Sequence, residues 1–373
     1  MVERREFLRK IKYWEHGTDY GGKGLGATYD ERLGVYSHNT DKFSSVNQVT
    51  EVGYILEDAG MGVAFMQDVG FGKASKGAIR IDVERQLRAG WGGGADMIFK
   101  IWDSGGMLQR SMTSKSSGKK IRKQPDHGLL MAVRAGWNKR IATSFHGGMV
   151  NDSRGWARYG GVVFKGRGED DALLVLLQVY MPQTTGEDSQ WQEQALREQG
   201  IETTAQQQTM IDIDASLLEY RELGADVILF GDMNNIWDTH SYYGTVGEKV
   251  KQRGPHFAKW VAENEYVNVA RSRTPGLAPR THSYNDSIGY DDKDMVLCRE
   301  ELLPYIVEYG SVDALRSEAV CTSRHYPIMV TINAKALLHV KGDDVQRPRE
   351  YIDHSVLRAT NEENSLRLRR MVD

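Results

Sequence analysis

The residues best equipped for chemistry stand at the ends of short apolar runs. Val227-Ile228-Leu229-Phe230 is broken by Gly231 and followed by Asp232 and Asn234. Four apolar residues in a row read as a strand buried on both faces. A carboxylate and a carboxamide two residues apart point the same way while the chain stays extended. The competing reading is an Asx-turn, in which both side chains serve only the backbone. The pattern recurs, however. Asn39 ends the run that starts at Leu33, Gln67-Asp68 follow Val63–Met66, and Tyr180 closes a run from Leu173. Asp294 abuts Met295-Val296-Leu297, and His325 precedes Ile328–Ile332. Gathered at one rim, Asp68, Asp232, Asp294, Asn39, Asn234, Tyr180 and His325 make an oxygen-rich set. Such a set suits Mg2+ or Mn2+ better than zinc. A divalent ion beside a histidine and an acid that activates water is the equipment for hydrolysing a phosphate ester.

The elements that must position these groups follow from periodicity. Val46, Val49, Ile55 and Leu56 predict an amphipathic helix from Ser44 to Asp58, capped by Ser44 or Ser45. Asp41 is read as a helix cap, with a place in a metal shell as the alternative. A short helix is expected over 79–87 and a strand over 97–102. Strand-like runs over 129–133, 141–145, 161–165 and 173–180 predict antiparallel neighbours. Residues 189–223 read as one long or broken helix, completing a strand-helix-strand crossover into 227–230. A helix is expected around 257–261, an extended piece at Thr281–Tyr284, and a charged helix over 354–371. Residues 111–124 read as a polar loop. Its Lys115, Lys119, Lys120, Arg122 and Lys123 form a solvated face or a contact to backbone phosphates. The glycines of Gly21–Gly26 follow no predicted strand, so residues 1–30 are expected to be a flexible leader.

Bulk properties narrow the classes. The chain has 373 residues and a net charge of −3, so no global basic field advertises nucleic-acid binding. No apolar stretch is long enough to span a bilayer, and the first residues lack a signal-peptide core. Two cysteines, Cys298 and Cys321, make no disulfide framework and fit an intracellular, reducing setting.

In order and spacing these pieces resemble the endonuclease/exonuclease/phosphatase superfamily over roughly residues 33–333. Gly231-Asp232-Met233-Asn234 matches that family's Gly-Asp-x-Asn, and Ser323-Arg324-His325-Tyr326-Pro327 resembles its Ser-Asp-His-x-Pro. Gln67-Asp68, Tyr180-Met181-Pro182 and Asp294-Met295-Val296-Leu297 resemble its Gln-Glu, Tyr-x-Pro and Asp-aromatic-apolar-apolar pieces. The resemblance implies an α/β fold of four layers, two mixed sheets face to face with helices outside. It implies a catalytic domain over 31–335 and a charged tail over 336–373.

The same resemblance implies roles. Asp68 stands at the metal-binding position, with Asn39 and Asp294 as further metal contacts. Asn39 orients the phosphate or a neighbouring Asp, and Tyr180 contacts the scissile phosphate. Asp232, helped by Asn234, orients and deprotonates the attacking water. Asp294 holds His325 in one tautomer and keeps it protonated, and His325 stabilises the phosphoryl oxygens. Arg324 adds a cation for nucleic acid. Two departures stand out: Asp68 replaces Glu and is one methylene shorter, and Arg324 replaces an Asp. The implied activity is Mg2+- or Mn2+-dependent cleavage of DNA. A small phosphate ester as substrate, or a catalytically degenerate binding module, are the alternatives.

Overall fold

The computed structural model describes residues 18–19, 32–41, 43, 46–70, 76–92, 97–103, 110–113, 120–123, 128–166, 172–184, 187–237, 254–273, 281–285, 289–311 and 323–338. In chain order these residues form β1 (Thr18–Asp19), β2 (Arg32–Asn39), α1 (Val46–Asp58), β3 (Met61–Gln67), α2 (Lys76–Gly90) and β4 (Ile98–Asp103). Next come β5 (Arg110–Thr113), β6 (Lys120–Lys123), β7 (Gly128–Val133), β8 (Met149–Asn151), β9 (Tyr159–Lys165) and β10 (Leu173–Tyr180). Then follow α3 (Glu187–Glu198), α4 (Ala205–Glu222), β11 (Asp226–Asp232), α5 (Pro255–Glu263), β12 (Tyr266–Asn268), β13 (His282–Asn285) and β14 (Gly289–Asp291). The last strands are β15 (Asp294–Arg299), β16 (Ile306–Ser311) and β17 (Ile328–Asn333).

One sheet has the order β1-β16-β17-β2-β3-β7-β4, the other β12-β15-β11-β10-β9-β8. Both are mixed: β2 and β3 run parallel, as do β10 and β11, and their remaining neighbours are antiparallel. Each parallel pair is joined by helices, the crossover that parallel strands require.

The apolar runs are explained by burial on both faces. Along β3, Val63 and Phe65 point into the core between the sheets, while Ala64 and Met66 pack with Val49, Val52 and Ile55 of α1 and Leu87 of α2. Along β11, Ile228 and Phe230 join the inter-sheet core, while Val227 and Leu229 pack with Ile213 and Leu217 of α4 and Trp260 of α5. Phe65 and Phe230 meet across the sheets with ring centroids 5.7 Å apart. Burying each such side chain contributes up to ~3 kcal/mol, which makes this layer the main cohesive contact. The result is the expected four-layer sandwich.

Two local expectations need correction, and a third is narrowed to one of its two forms. Residues 141–145 are not a strand: only Ile141 makes a bridge, to Phe164. Phe145 N–H closes a turn on the Ala142 carbonyl at 2.9 Å, and the edge position goes to β8. The region 111–124 is not simply a loop, because its described residues belong to the antiparallel pair β5–β6 with Met112 opposite Ile121. The helix over 189–223 is broken. Gly200, in left-handed backbone at φ 75°, follows α3, and Ile201 N–H returns to the Leu196 carbonyl. Thr204 then starts α4 with a reciprocal capping box to Gln207. Thr18–Asp19, inside the expected leader, pairs with β16 at the edge of the first sheet. The glycine cluster 21–26, Ser44, Ser45 and the expected helix over 354–371 lie outside the described residues. No helix among the described residues is long and apolar enough to cross a membrane.

Candidate active site

Strand register brings the polar tips together. In the second sheet Tyr180 pairs with Asp232 and Asp232 with Asp294, so three side chains form one row across β10, β11 and β15. In the first sheet Asn39 pairs with Gln67, the residue before Asp68. Strand direction explains why some of these residues end strands and others begin them. β15 and β17 run antiparallel to β11 and β2, so Asp294 and the segment before Ile328 arrive at the tips where Asp232 and Asn39 leave.

Backbone conformation sharpens the tips. Asp41, Asp68 and Asn234 all take left-handed backbone, at φ 45°, 50° and 45°. Asp and Asn tolerate this region better than other side-chain-bearing residues. Gly231 sits at φ 134°, and a Cβ there would collide with the Val179 carbonyl. Only glycine lets β11 run this close to β10 one residue before Asp232.

The hydrogen bonds run in one line between the sheets. Asn39 Nδ2 donates to Asp232 Oδ2 at 2.9 Å and lies 3.4 Å from His325 Nε2. His325 Nδ1 is 2.7 Å from Asp294 Oδ2. Asn39 Oδ1 accepts from Asp41 N–H at 3.0 Å, which fixes the amide orientation and leaves both its hydrogens for Asp232 and His325. His325 Nε2 therefore acts as an acceptor and Nδ1 carries the proton toward Asp294. Asp232 Oδ1 accepts from Asn234 N–H at 2.8 Å, and Asn234 Nδ2 donates to the Met181 carbonyl at 2.7 Å. Tyr180 Oη is 3.4 Å from Asp68 Oδ2.

Burial sets the electrostatics. It raises Asp232 above the ordinary carboxylate range, against the His325 imidazole. It raises Asp294 to about 8, with His282 opposing and Asp291 reinforcing. It lowers His325, with Asp232 opposing. The expectation that a carboxylate keeps His325 protonated is thus corrected: loss of solvent outweighs the attraction, and the pair is driven toward its neutral form.

The donor set fits a hard divalent cation. Ligand atoms of Asp232, Asp294 and His325 lie within 4.8 Å of one another. Two buried carboxylates with raised proton affinity gain from a cation that replaces the missing solvent, and oxygen donors suit Mg2+ or Mn2+. Of the residues expected to hold the metal, Asp294 belongs to this group, Asn39 is bonded to Asp232, and Asp68 stands outside the group beside Tyr180.

Other expected residues fall at the rim or beyond description. Asp41, read as a cap, lies 3.7 Å from Arg324 Nε, and the Arg324 side chain is 57% exposed. Lys120, Arg122 and Lys123 lie on β6, and Lys115 and Lys119 lie outside the described residues.

Several contributors went unread. His38 Nε2 reaches the His325 carbonyl at 3.1 Å, and Tyr36 Oη contacts His38 Nδ1 at 3.0 Å. Burial holds His38 at about 3, so it is neutral, with Nε2–H donating and Tyr36 donating to Nδ1. Ser323 Oγ donates to the Asn39 carbonyl at 2.6 Å and accepts from His325 N–H at 3.0 Å. Arg158 stacks over Tyr180 with its guanidinium carbon 5.2 Å from the ring centre. Ser323 was visible as the first residue of its motif, whereas His38 and Arg158 carried no local signal.

An AP endonuclease from Archaeoglobus fulgidus superposes on this fold with a TM-score of 0.51 at 14% identity, covering 80% of this chain and 99% of that one. AP endonuclease LMAP from Leishmania major gives 0.53 at 12% identity, covering 88% and 98%. The chain has the fold of the endonuclease/exonuclease/phosphatase superfamily. The 3'-5' exonuclease NExo from Neisseria meningitidis gives 0.51 at 10% identity, covering 80% and 98%. No family model matches the chain, and no curated protein matches it. At these identities the endonuclease/exonuclease/phosphatase likeness is one of fold.

Proposed function

We propose that the chain is a divalent-metal-dependent phosphodiester hydrolase that cuts DNA. The observation that carries this reading is the hydrogen-bonded line Asp294–His325–Asn39–Asp232, which joins the tips of both sheets. A bound Mg2+ or Mn2+, held by Asp232 and Asp294 with Asn39 and Asp68 near, would neutralise charge on the phosphate. Asp232 has both oxygens oriented, one by Asn39 and one by the Asn234 amide, and takes a proton from the attacking water. His325 faces the phosphoryl oxygens through Nε2 and must gain a proton there to donate to them. The negative phosphodiester favours that proton, and Asp294 holds Nδ1 while it arrives. Tyr180 adds a phenolic donor from the neighbouring strand.

DNA is favoured over a small ester by where the cations fall in the sequence. The chain leaves the first sheet at Asp103 and re-enters at Gly128, and these residues pair at the end of the sheet that carries Gln67. The β5–β6 ribbon, whose sequence holds Arg110, Lys120, Arg122 and Lys123, lies in the chain between these two residues. Arg324 adds an exposed cation beside His325. The similar solved structures are AP endonucleases and an exonuclease, which supports the same substrate class.

The test is conversion of supercoiled plasmid to nicked circles with Mg2+ or Mn2+, with chelator, and with Asp232→Asn. Nicking that chelator and Asp232→Asn both abolish is the expected result. A chain that leaves plasmid intact but hydrolyses a small chromogenic phosphodiester would move the reading to a small ester. Inactivity on both would overturn it.

A further inference from the structure

We propose that His282 and Asp291 form a second histidine–aspartate pair that positions His325, an inference resting on the hydrolase reading above. The two pairs are stacked. His282 and His325 face each other across an antiparallel bridge, with ring centroids 4.5 Å apart and planes inclined by 49°. His282 Nδ1 is 2.9 Å from Asp291 Oδ1, just as His325 Nδ1 is 2.7 Å from Asp294 Oδ2. His282 is 3% exposed and Asp291 fully buried.

The backbone leaves little choice in this stacking. Thr281 ties three segments into one knot. Its N–H donates to the Asp291 carbonyl at 3.0 Å, its carbonyl accepts from Tyr326 N–H at 2.7 Å, and its Oγ1 accepts from Asp294 N–H at 3.0 Å. The residues flanking His282 and His325 are thereby locked, and cross-strand neighbours in an antiparallel bridge bring their side chains together.

The arrangement answers a specific need. An imidazole held at Nδ1 by Asp294 and at Nε2 only by the longer 3.4 Å contact to Asn39 can still tilt about the line joining those two bonds. A second ring against its face, itself tethered by a carboxylate, removes that freedom. Volume alone does not demand this pair. An apolar side chain would fill the space without burying a carboxylate, and buried polar pairs of this kind are often less stable than apolar replacements. Lys293 Nζ, 4.0 Å from Asp291 Oδ2, offsets part of that burial. His282 meets the site's line at the ring face of His325.

The test compares His282→Ala, His282→Phe and Asp291→Asn with wild type and with Asp232→Asn. Three readouts are taken: plasmid nicking, Mn2+ affinity, and the ring-nitrogen NMR signals of His325 in histidine-labelled protein. Misplacing a catalytic group by about 1 Å costs roughly 10²-fold. His282→Ala is therefore expected to lower kcat by about 10- to 10²-fold, with KM and Mn2+ affinity within about 3-fold. His282→Phe keeps the ring face and loses the tether, so it falls between. Asp291→Asn retains an acceptor oxygen and restores most of the rate. The His325 signals should report a single Nδ1–H form in wild type and exchange broadening in His282→Ala. If His282→Ala lowers thermal stability but leaves kcat and the His325 signals unchanged, His282 is a packing residue and the proposal fails. If wild type and Asp232→Asn are equally inactive, the hydrolase reading fails. The NMR comparison then decides the positioning pair alone, unchanged His325 signals overturning it.

Discussion

Strand β11 carries an aspartate at each end, and the two ends differ in a useful way. Asp232 and Asp226 are both raised above the ordinary carboxylate range, and in both burial is the largest cause. Asp232 then meets donors on both oxygens and an imidazole that draws it back down. Asp226 meets Glu301, which raises it further, in a cavity of about 180 Å³ that Arg221, Tyr266 and Arg299 also line. A raised carboxylate is therefore weak evidence for a site. What separates the two ends is the convergence of oriented donors from several strands at one of them.

Breaking the carboxyl end should have the largest effect. Asp232→Asn removes the acceptor for the water's proton while keeping the shape, and is expected to lower nicking by about 10²- to 10³-fold. Thermal stability should hold or rise, because a buried carboxylate is replaced by a neutral amide. Loss of activity accompanied by unfolding would count against a chemical role. Asn39→Ala comes next, at about 10- to 10²-fold, because one side chain orients both Asp232 and His325. Asn39→Asp should do no better than Ala, since it loses both amide hydrogens. Activity of Asn39→Ala near wild type would show that the two sheet tips act independently.

Much of this end was legible from residue order. Gly231-Asp232-Met233-Asn234 announces a strand tip because glycine alone fits beside Val179 and Asn tolerates φ 45°. Apolar runs such as Val63–Met66 announce a sandwich, because burial on both faces removes the alternation of a surface strand. What was hidden depends on register. The resemblance implied that Asp294 holds His325, whereas nothing local tells that Asp291 faces His282, which follows from how β13–β14 is tied through Thr281. The protonation state of His325 was misjudged for a related reason. A neighbouring carboxylate is visible in sequence, whereas near-complete loss of solvent is a property of the assembled fold. The β5–β6 pairing escaped because its strands are four residues each and their charges dominate the composition.

A smaller effect is expected at the rim. Replacing Lys120, Arg122 and Lys123 with Gln should weaken duplex binding and reduce its salt slope by roughly 0.9 per lost phosphate contact. Hydrolysis of a small chromogenic diester should stay unchanged. An unaltered salt slope would leave the ribbon a solvated face and remove one support for DNA as substrate.

The smallest effect belongs to the amino end of β11. Asp226 is raised from 3.8 to about 6 by burial and by Glu301. The folded chain thus binds this proton more tightly than the unfolded chain, so folding gains from it at low pH. That contribution is fully present below 3.8 and is lost as pH rises through about 6, leaving a net cost at pH 7.5. Two pH units would correspond to about 3 kcal/mol, and because Asp226 is only part-buried, screening by solvent reduces this to about 1 kcal/mol. Asp226→Asn should therefore raise the melting temperature by about 2 °C at pH 7.5, with the advantage narrowing as pH falls toward 5. Plasmid nicking should not change, since Asp226 lies at the end of β11 remote from the Asn39–Asp232 bond. A stability gain that is constant across pH would show that Asp226 is not titrating in this range. A loss of nicking would show that the two ends of the strand are coupled, and that the contrast between them is less complete than their surroundings indicate.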